Sequence, residues 1–300
     1  MEQAMRVYPF MQVDAFTDRP LNGNPCAVLF DTDDLDDGML LAIAREMNLS
    51  ETAFVRGSTA ADFGVRFFTP AEEIPLAGHP TVATTFALVN SGRFQLTHEC
   101  TTLMLELKVG PIPVAIYARQ GKIERIVMTQ KKPQFLATYD PAQVAPAFGL
   151  EIEDIMPDLP IQTVSTGTPQ LMLPLRGLAA LRRSQVNVSA YTELRSRSDF
   201  FSPHLFCLAG VSAAGQTFAR HFGVPPDSPE DPFTGSATGG MAAYLWRYGL
   251  ISQPFFIAEQ GHWMNRPGQA SVEVIGPRQA IETVKVGGQA VKVMQGKLIL

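Results

Sequence analysis

Short runs of alternating or wholly apolar residues recur along the chain and read as strands: VDAFT, CAVLF, TAFV and VRFF early on, and QLMLPL, HLFCLA and FARHF later. Segments with helical spacing interrupt them. DGMLLAIAREMNLS predicts one helix. Residues 78–92 (GHPTVATTFALVNSG) and 235–249 (GSATGGMAAYLWRYG) predict two more, each apolar nearly all round, which is the signature of a buried helix. Pro80 is expected at the first helical position with Gly92 just past the end, and Ser236 and Gly249 bracket the second helix likewise.

These two segments also share spacing. Each runs fourteen steps from glycine to glycine, pairing His79 with Ser236, Thr81 with Thr238, Ala83 with Gly240 and Leu88 with Leu245. Upstream, Arg66-Phe67-Phe68 and Arg220-His221-Phe222 repeat an Arg-x-Phe strand. The chain therefore reads as two copies of one α+β unit, each a curved, mostly antiparallel or mixed sheet wrapped round a central helix. The apolar-to-charged change at ARQGKIERI sets the expected domains at 1–121 and 122–300, with the last strand able to return to the first. Residues 137–161 read as a helix plus loop at the rim of the second domain, their acidic groups a solvated face.

A length of 300 residues agrees with two domains. Net charge of -5 without a basic run argues against a nucleic-acid partner. The N-terminus lacks the charged-then-apolar order of a signal, and no stretch has the length of a membrane span, so a cytoplasmic protein is expected. Cys26, Cys100 and Cys207 are odd in number and scattered, which fits buried, reduced packing residues rather than disulfides. The five histidines show no metal-binding spacing, and there is no strand-GxGxxG-helix unit or P-loop lysine, so neither a metal nor a cofactor is expected.

What remains is the pair of helix starts. Unpaired N–H groups and the positive end of the helix dipole can hold an anion there without arginine or lysine. If a pseudo-twofold axis relates the two copies, Gly78-His79 and Gly235-Ser236 would face each other across a cleft suited to a small carboxylate. Taken singly, the same residues read as turn glycines, a structural histidine and a serine cap, and Asp231 as an Asx-turn residue before Pro232.

Four separated stretches, GNPCAV (23–28), NLSETAF (48–54), PLAGHPT (75–81) and EDPFTGSATG (230–239), together with VGGQAVKV near the C-terminus, resemble those of the PhzF-like (phenazine biosynthesis) family. The resemblance covers nearly the whole chain in the expected order. It implies the two-domain fold of diaminopimelate epimerase and proline racemase, a homodimer, and no cofactor. It also implies an isomerase related to the one that acts on trans-2,3-dihydro-3-hydroxyanthranilate, with Glu51 as the acid/base. By the same resemblance Asp231 and Ser236 hold polar substituents of the substrate, and amides at Gly78, His79 and Gly235 hold its carboxylate.

The thiol epimerases of that fold carry a cysteine at each central-helix start. PLAGHPT and PFTGSATG contain none, so one carboxylate moving a proton between two carbons replaces two thiols inverting one. Residues alone favour reading Glu51 as an exposed connector after a helix; only the resemblance makes it the acid/base. Two other readings stay open: an isomerase or epimerase of another small amino or hydroxy acid, and a non-catalytic binder of small carboxylates.

Overall fold

The computed structural model describes residues 5–223 and 228–300, which divide into two units. The first runs to Met128 and takes back Gly287–Leu300; the second is Thr129–Val286. Among the described residues no helix is long and apolar enough to cross a membrane.

The first unit begins with β1 (Val7–Ala15), β2 (Asn24–Leu29), α1 (Asp37–Met47), β3 (Glu51–Arg56), β4 (Phe63–Phe68) and the two-residue β5 (Glu73–Ile74). Then come α2 (Gly78–Asn90), β6 (Cys100–Leu107), β7 (Gly110–Arg119) and β8 (Lys122–Thr129). The boundary expected at 121/122 falls in the turn between β7 and β8, and the unit continues through β8 because Val114 to Tyr117 pair with Arg125 to Met128.

The second unit contains β9 (Gln134–Tyr139), the one-turn α3 (Pro141–Val144), β10 (Ile161–Ser165), β11 (Pro169–Pro174), α4 (Leu178–Arg183) and α5 (Val188–Ser196). It continues with β12 (Ser202–Cys207), β13 (Thr217–Phe222), the two-residue β14 (Glu230–Asp231), α6 (Gly235–Arg247), β15 (Phe255–Gln260), β16 (Gly268–Ile275) and β17 (Thr283–Gly288). The last strand, β18 (Ala290–Ile299), belongs to the first unit, where it lies antiparallel to β1. The segment read as helix plus loop opens inside β9 and is otherwise the expected short helical turns.

The repeat read from the sequence extends to strand order and sense. In the first unit the ladder runs β18, β1, β2, β3, β4, β6, β7, pairing antiparallel, antiparallel, parallel, antiparallel, parallel, antiparallel. In the second it runs β9, β10, β11, β12, β13, β15, β16 with the same senses. The stubs β5 and β14 hang antiparallel on β4 and β13.

Matching side chains hold matching places. Arg66 donates bidentately to Glu73, and Arg220 to Glu230, each guanidinium lying over the phenylalanine two residues on, Phe68 or Phe222. The Ser58 hydroxyl donates to Glu106 and the Ser212 hydroxyl to Glu259, so a serine ties the β3–β4 loop to β6 and the β12–β13 loop to β15.

Both central helices are buried along most of their length, as an all-round apolar pattern requires. Both start earlier than their punctuation suggests: Pro80 and Ser236 lie inside the first turn, after Gly78 and Gly235. Gly92 and Gly249 follow the helix ends with φ of 74° and 73°, the left-handed region that glycine enters without strain.

Candidate active site

Glu51 is not a connector. The helix before it, α1, is capped by the Asp36 carboxylate accepting from the Met39 amide and stops at Asn48, whose φ of 49° turns the chain out of the helix. Three residues later Glu51 opens β3, its side chain 18% exposed, beside Cys26 in the parallel ladder with β2. The Cys26 thiol is fully buried, and burial, then the charge of Glu51, push its pKa well above the ordinary value. It stays a thiol, poorly nucleophilic. Cys26 and Cys207 are buried as expected; Cys100 is exposed, because it opens the outward-facing end of β6.

His79 sits in the first turn of α2, 3% exposed, with Nε2 at 3.3 Å from Glu51 Oε2 but not aligned for a hydrogen bond. Behind the ring the Asn24 amide nitrogen lies 2.9 Å from Nδ1. Burial drives the His79 pKa down to about 3, against a smaller upward pull from the Pro25 carbonyl. At neutral pH the imidazole is uncharged, so Glu51 faces a dipole and not a cation.

The sequence GNP builds this arrangement. Gly23 has φ of 58°, and a Cβ there would lie 2.1 Å from the Ala15 carbonyl oxygen, so only glycine fits the turn that delivers Asn24. The Asp14 carboxylate fixes the same turn by accepting from the Leu21 amide at 2.7 Å.

In the second unit, Asp231 lies in β14 opposite His221, and its carboxylate accepts from the Thr234 hydroxyl. Gln260, nearly fully buried, staples this turn: its Nε2 donates to the Asp231 carbonyl at 2.7 Å and its Oε1 accepts from the Thr234 amide at 3.1 Å. Gly235 opens α6, its carbonyl accepting from Gln130 Nε2 at 2.9 Å. Ser236 Oγ lies 3.4 Å from Gln170 Nε2 and is part of the helix rather than its cap.

Neither α2 nor α6 has a side-chain cap on its first-turn amides. In each, the threonine four residues past the N-cap position, Thr81 or Thr238, bonds back to the carbonyl at that position, Ala77 or Thr234, at 2.6 and 2.9 Å. Those hydroxyls turn inward along the helix and leave the amides uncapped. Each unit thus assembles its own predicted residues at a helix head: Glu51, Gly78 and His79 in the first, Asp231, Gly235 and Ser236 in the second.

The three glutamines, Gln130, Gln170 and Gln260, were not singled out in the sequence. Only Gln170 leaves a trace there, since GTPQ repeats the spacing of GNPC.

Residues 13–296 match the model of the family described as phenazine biosynthesis-like protein, PhzC-PhzF. The chain belongs to this family. It is 35% identical over 272 residues to the uncharacterized isomerase YfhB of Bacillus subtilis, covering 90% of this chain and 92% of that protein. It is 32% identical over 299 residues to the trans-2,3-dihydro-3-hydroxyanthranilate isomerase of Pseudomonas aeruginosa, covering 98% and 100%. The crystal structure of a Bacillus anthracis phenazine biosynthesis protein of the PhzF family superposes with a TM-score of 0.87 at 30% identity, over 98% of this chain and 100% of that one. A hydroxyproline epimerase from Agrobacterium vitis shares the fold alone, with a TM-score of 0.68 at 13% identity over 98% and 93%. The chain is thus a PhzF-family protein, with the mixed α+β fold expected from the residue pattern and of the diaminopimelate epimerase-like type that the resemblance implied.

Proposed function

We propose that this PhzF-family protein is a cofactor-independent isomerase that moves a proton within a small carboxylate-bearing molecule, with Glu51 as general base and then general acid. The carrying observation is Glu51 at the start of β3, flanked by the neutral imidazole of His79 and the protonated thiol of Cys26.

A base that must also return its proton works best when neither form is locked. A cationic histidine at 3.3 Å would hold the carboxylate ionised. The neutral ring offers a weaker contact that either form tolerates. With Cys26 kept as a thiol, Glu51 is the group fitted to take a proton from one carbon and hand it to another on the same face of the substrate. The uncapped first-turn amides at Gly78, His79 and Gly235 support a carboxylate anchored at a helix head. Asp231 and Ser236 are the groups for the remaining polar substituents, Asp231 for an amine or hydroxyl donor.

The name of the Pseudomonas aeruginosa relative makes trans-2,3-dihydro-3-hydroxyanthranilate the first substrate to try, with small amino and hydroxy acids beside it. The test is proton exchange followed by NMR in deuterated buffer, on wild type and Glu51→Gln. The proposal requires wild type to move or exchange hydrogen at a ligand carbon and the variant to bind without doing so. Equal exchange in both would remove Glu51 from the chemistry.

A further inference from the structure

The repeat places an unassigned group where the first unit keeps Glu51. Arg66 pairs with Phe54 across β3 and β4, and Arg220 with Leu205 across β12 and β13. Three residues back from each stand Glu51 and Ser202. The parallel ladders agree, Glu51 lying beside Cys26 and Ser202 beside Gln170. Ser202 is therefore the second unit's counterpart of the proposed acid/base.

Ser202 is also the end of a buried string. Its Oγ lies 2.9 Å from His221 Nε2, and His221 Nδ1 lies 3.3 Å from His204 Nδ1. Both rings are neutral at pH 7: burial lowers the His221 pKa to about 3, and burial with the neighbouring His221 lowers that of His204 well below normal. Among the described residues His204 Nε2 has no partner, and Ser202 Oγ has none beyond His221.

One proton must lie between the two Nδ1 atoms, and its owner orients the whole string. If His221 owned it, His204 would carry its own proton on Nε2, a buried donor with nothing to donate to. If His204 owns it, Nε2 of His204 is a bare lone pair, and His221 Nε2–H donates to Ser202 Oγ. Orphaned buried N–H groups are rarer than under-satisfied acceptors, so the second arrangement is favoured. Its consequence is that the Ser202 oxygen is already supplied with a donor and its own O–H points to a ligand.

The same logic holds one strand over. Gln170 Nε2 reaches Ser236 Oγ, and Met172, next on that face, reaches toward Gly240 of α6, so Gln170 and Ser202 lie on the helix-facing side. Two hydroxyl donors thus flank Gln170 beside the uncapped amides of α6.

We propose that Ser202 is a ligand-contacting donor of the second unit, set in the donating orientation by His221 and His204, and that it takes a carboxylate oxygen. The identity of the ligand as a small carboxylate rests on the isomerase reading above; the orientation of the string does not.

The test has two parts. Long-range proton–nitrogen NMR on histidine-labelled protein at pH 7, assigned with His204→Phe, should show His204 as the Nδ1–H tautomer and His221 as Nε2–H. Titration with anthranilate, and with aniline as the carboxylate-free probe, should show Ser202→Ala weakening anthranilate about tenfold. Ser202→Thr should restore most of the affinity, and aniline should not distinguish the proteins. Reversed tautomers, equal anthranilate affinity in wild type and Ser202→Ala, or no anthranilate binding by wild type would each overturn the inference. Ser202-dependent binding without proton exchange on any substrate would sink the isomerase reading alone. Isomerisation by Ser202→Ala at unchanged KM would sink the inference alone.

Discussion

In the first unit α2 begins beside a carboxylate, Glu51, and carries a neutral imidazole, His79; in the second α6 carries Ser236, against Gln170, and begins beside a carboxylate, Asp231, held by Thr234. The frame around them is the same. Arg66 and Glu73 repeat as Arg220 and Glu230, Ser58 and Glu106 as Ser212 and Glu259, Thr81 as Thr238. Among the positions that differ near the helix heads are Glu51 against Ser202, Cys26 against Gln170, Phe67 against His221, Ile74 against Asp231, and His79 against Ser236. The residues that both copies retain here hold the frame, and the proposed chemistry lies among the positions where the copies part company.

The sharpest way to break this division is at Glu51. Glu51→Gln should lower proton exchange by about a thousandfold, within the span expected of a removed general base, while ligand affinity changes less than threefold. A comparable loss of exchange in Ser58→Ala, a frame residue, would mean that the division fails.

The clamps differ by one partner: Arg66→Met leaves Glu73 paired with Lys108 at 3.0 Å, whereas Arg220→Met removes the one ion-pair partner that Glu230 has among the described residues. Arg220→Met should cost about 2–3 kcal/mol in urea unfolding, and Arg66→Met about 1 kcal/mol less. A larger cost for Arg66→Met than for Arg220→Met would show that Lys108 does not support Glu73.

Acid should separate the units. His79 stands alone in the first, whereas His204 and His221 are both buried in the second. Their folded pKa values lie below the unfolded value, so the unfolded chain binds protons that the native one refuses. Stability is full above the unfolded histidine value of about 6.5 and falls below it, by up to about 1.4 kcal/mol per pH unit for each ring, toward pH 3. Glu73, held below its usual range by Arg66, adds to the loss only in the carboxylate range. Hydrogen exchange at pH 5 should therefore open β12 and β13 before β3 and β4.

The smallest effect is at Gly239, whose counterpart in α2 is Val82. A Cβ at Gly239 would lie 1.8 Å from Gln130 Oε1, so Gly239→Ala must displace that side chain from the Gly235 carbonyl, at about 1 kcal/mol. In a Gln130→Ala background the same change should cost nothing, as a double-mutant cycle would show.

Strands and helices were legible because alternation and all-round apolar spacing are local properties, and the Arg-x-Phe repeat announced the duplication. Both helices start two residues before the positions that Pro80 and Ser236 mark, since neither helix uses the side-chain cap that usually marks a start. Glu51 was legible only through resemblance: nothing near it in sequence tells a strand's first residue from a loop. Its contact with Cys26 is a ladder neighbour across β2 and β3, and the meeting of His204 with His221 needs two strands in register. Partners chosen by register are invisible until the register is known.

The return of β18 to β1 has a consequence for synthesis on the ribosome. The second unit is one continuous stretch of chain, complete once Val286 has been made, whereas the first lacks a strand of its sheet until residues 287–300 follow. The half made first is the half finished last, so β1 waits through the growth of the second unit with an open edge, the kind of surface on which nascent chains depend on chaperones.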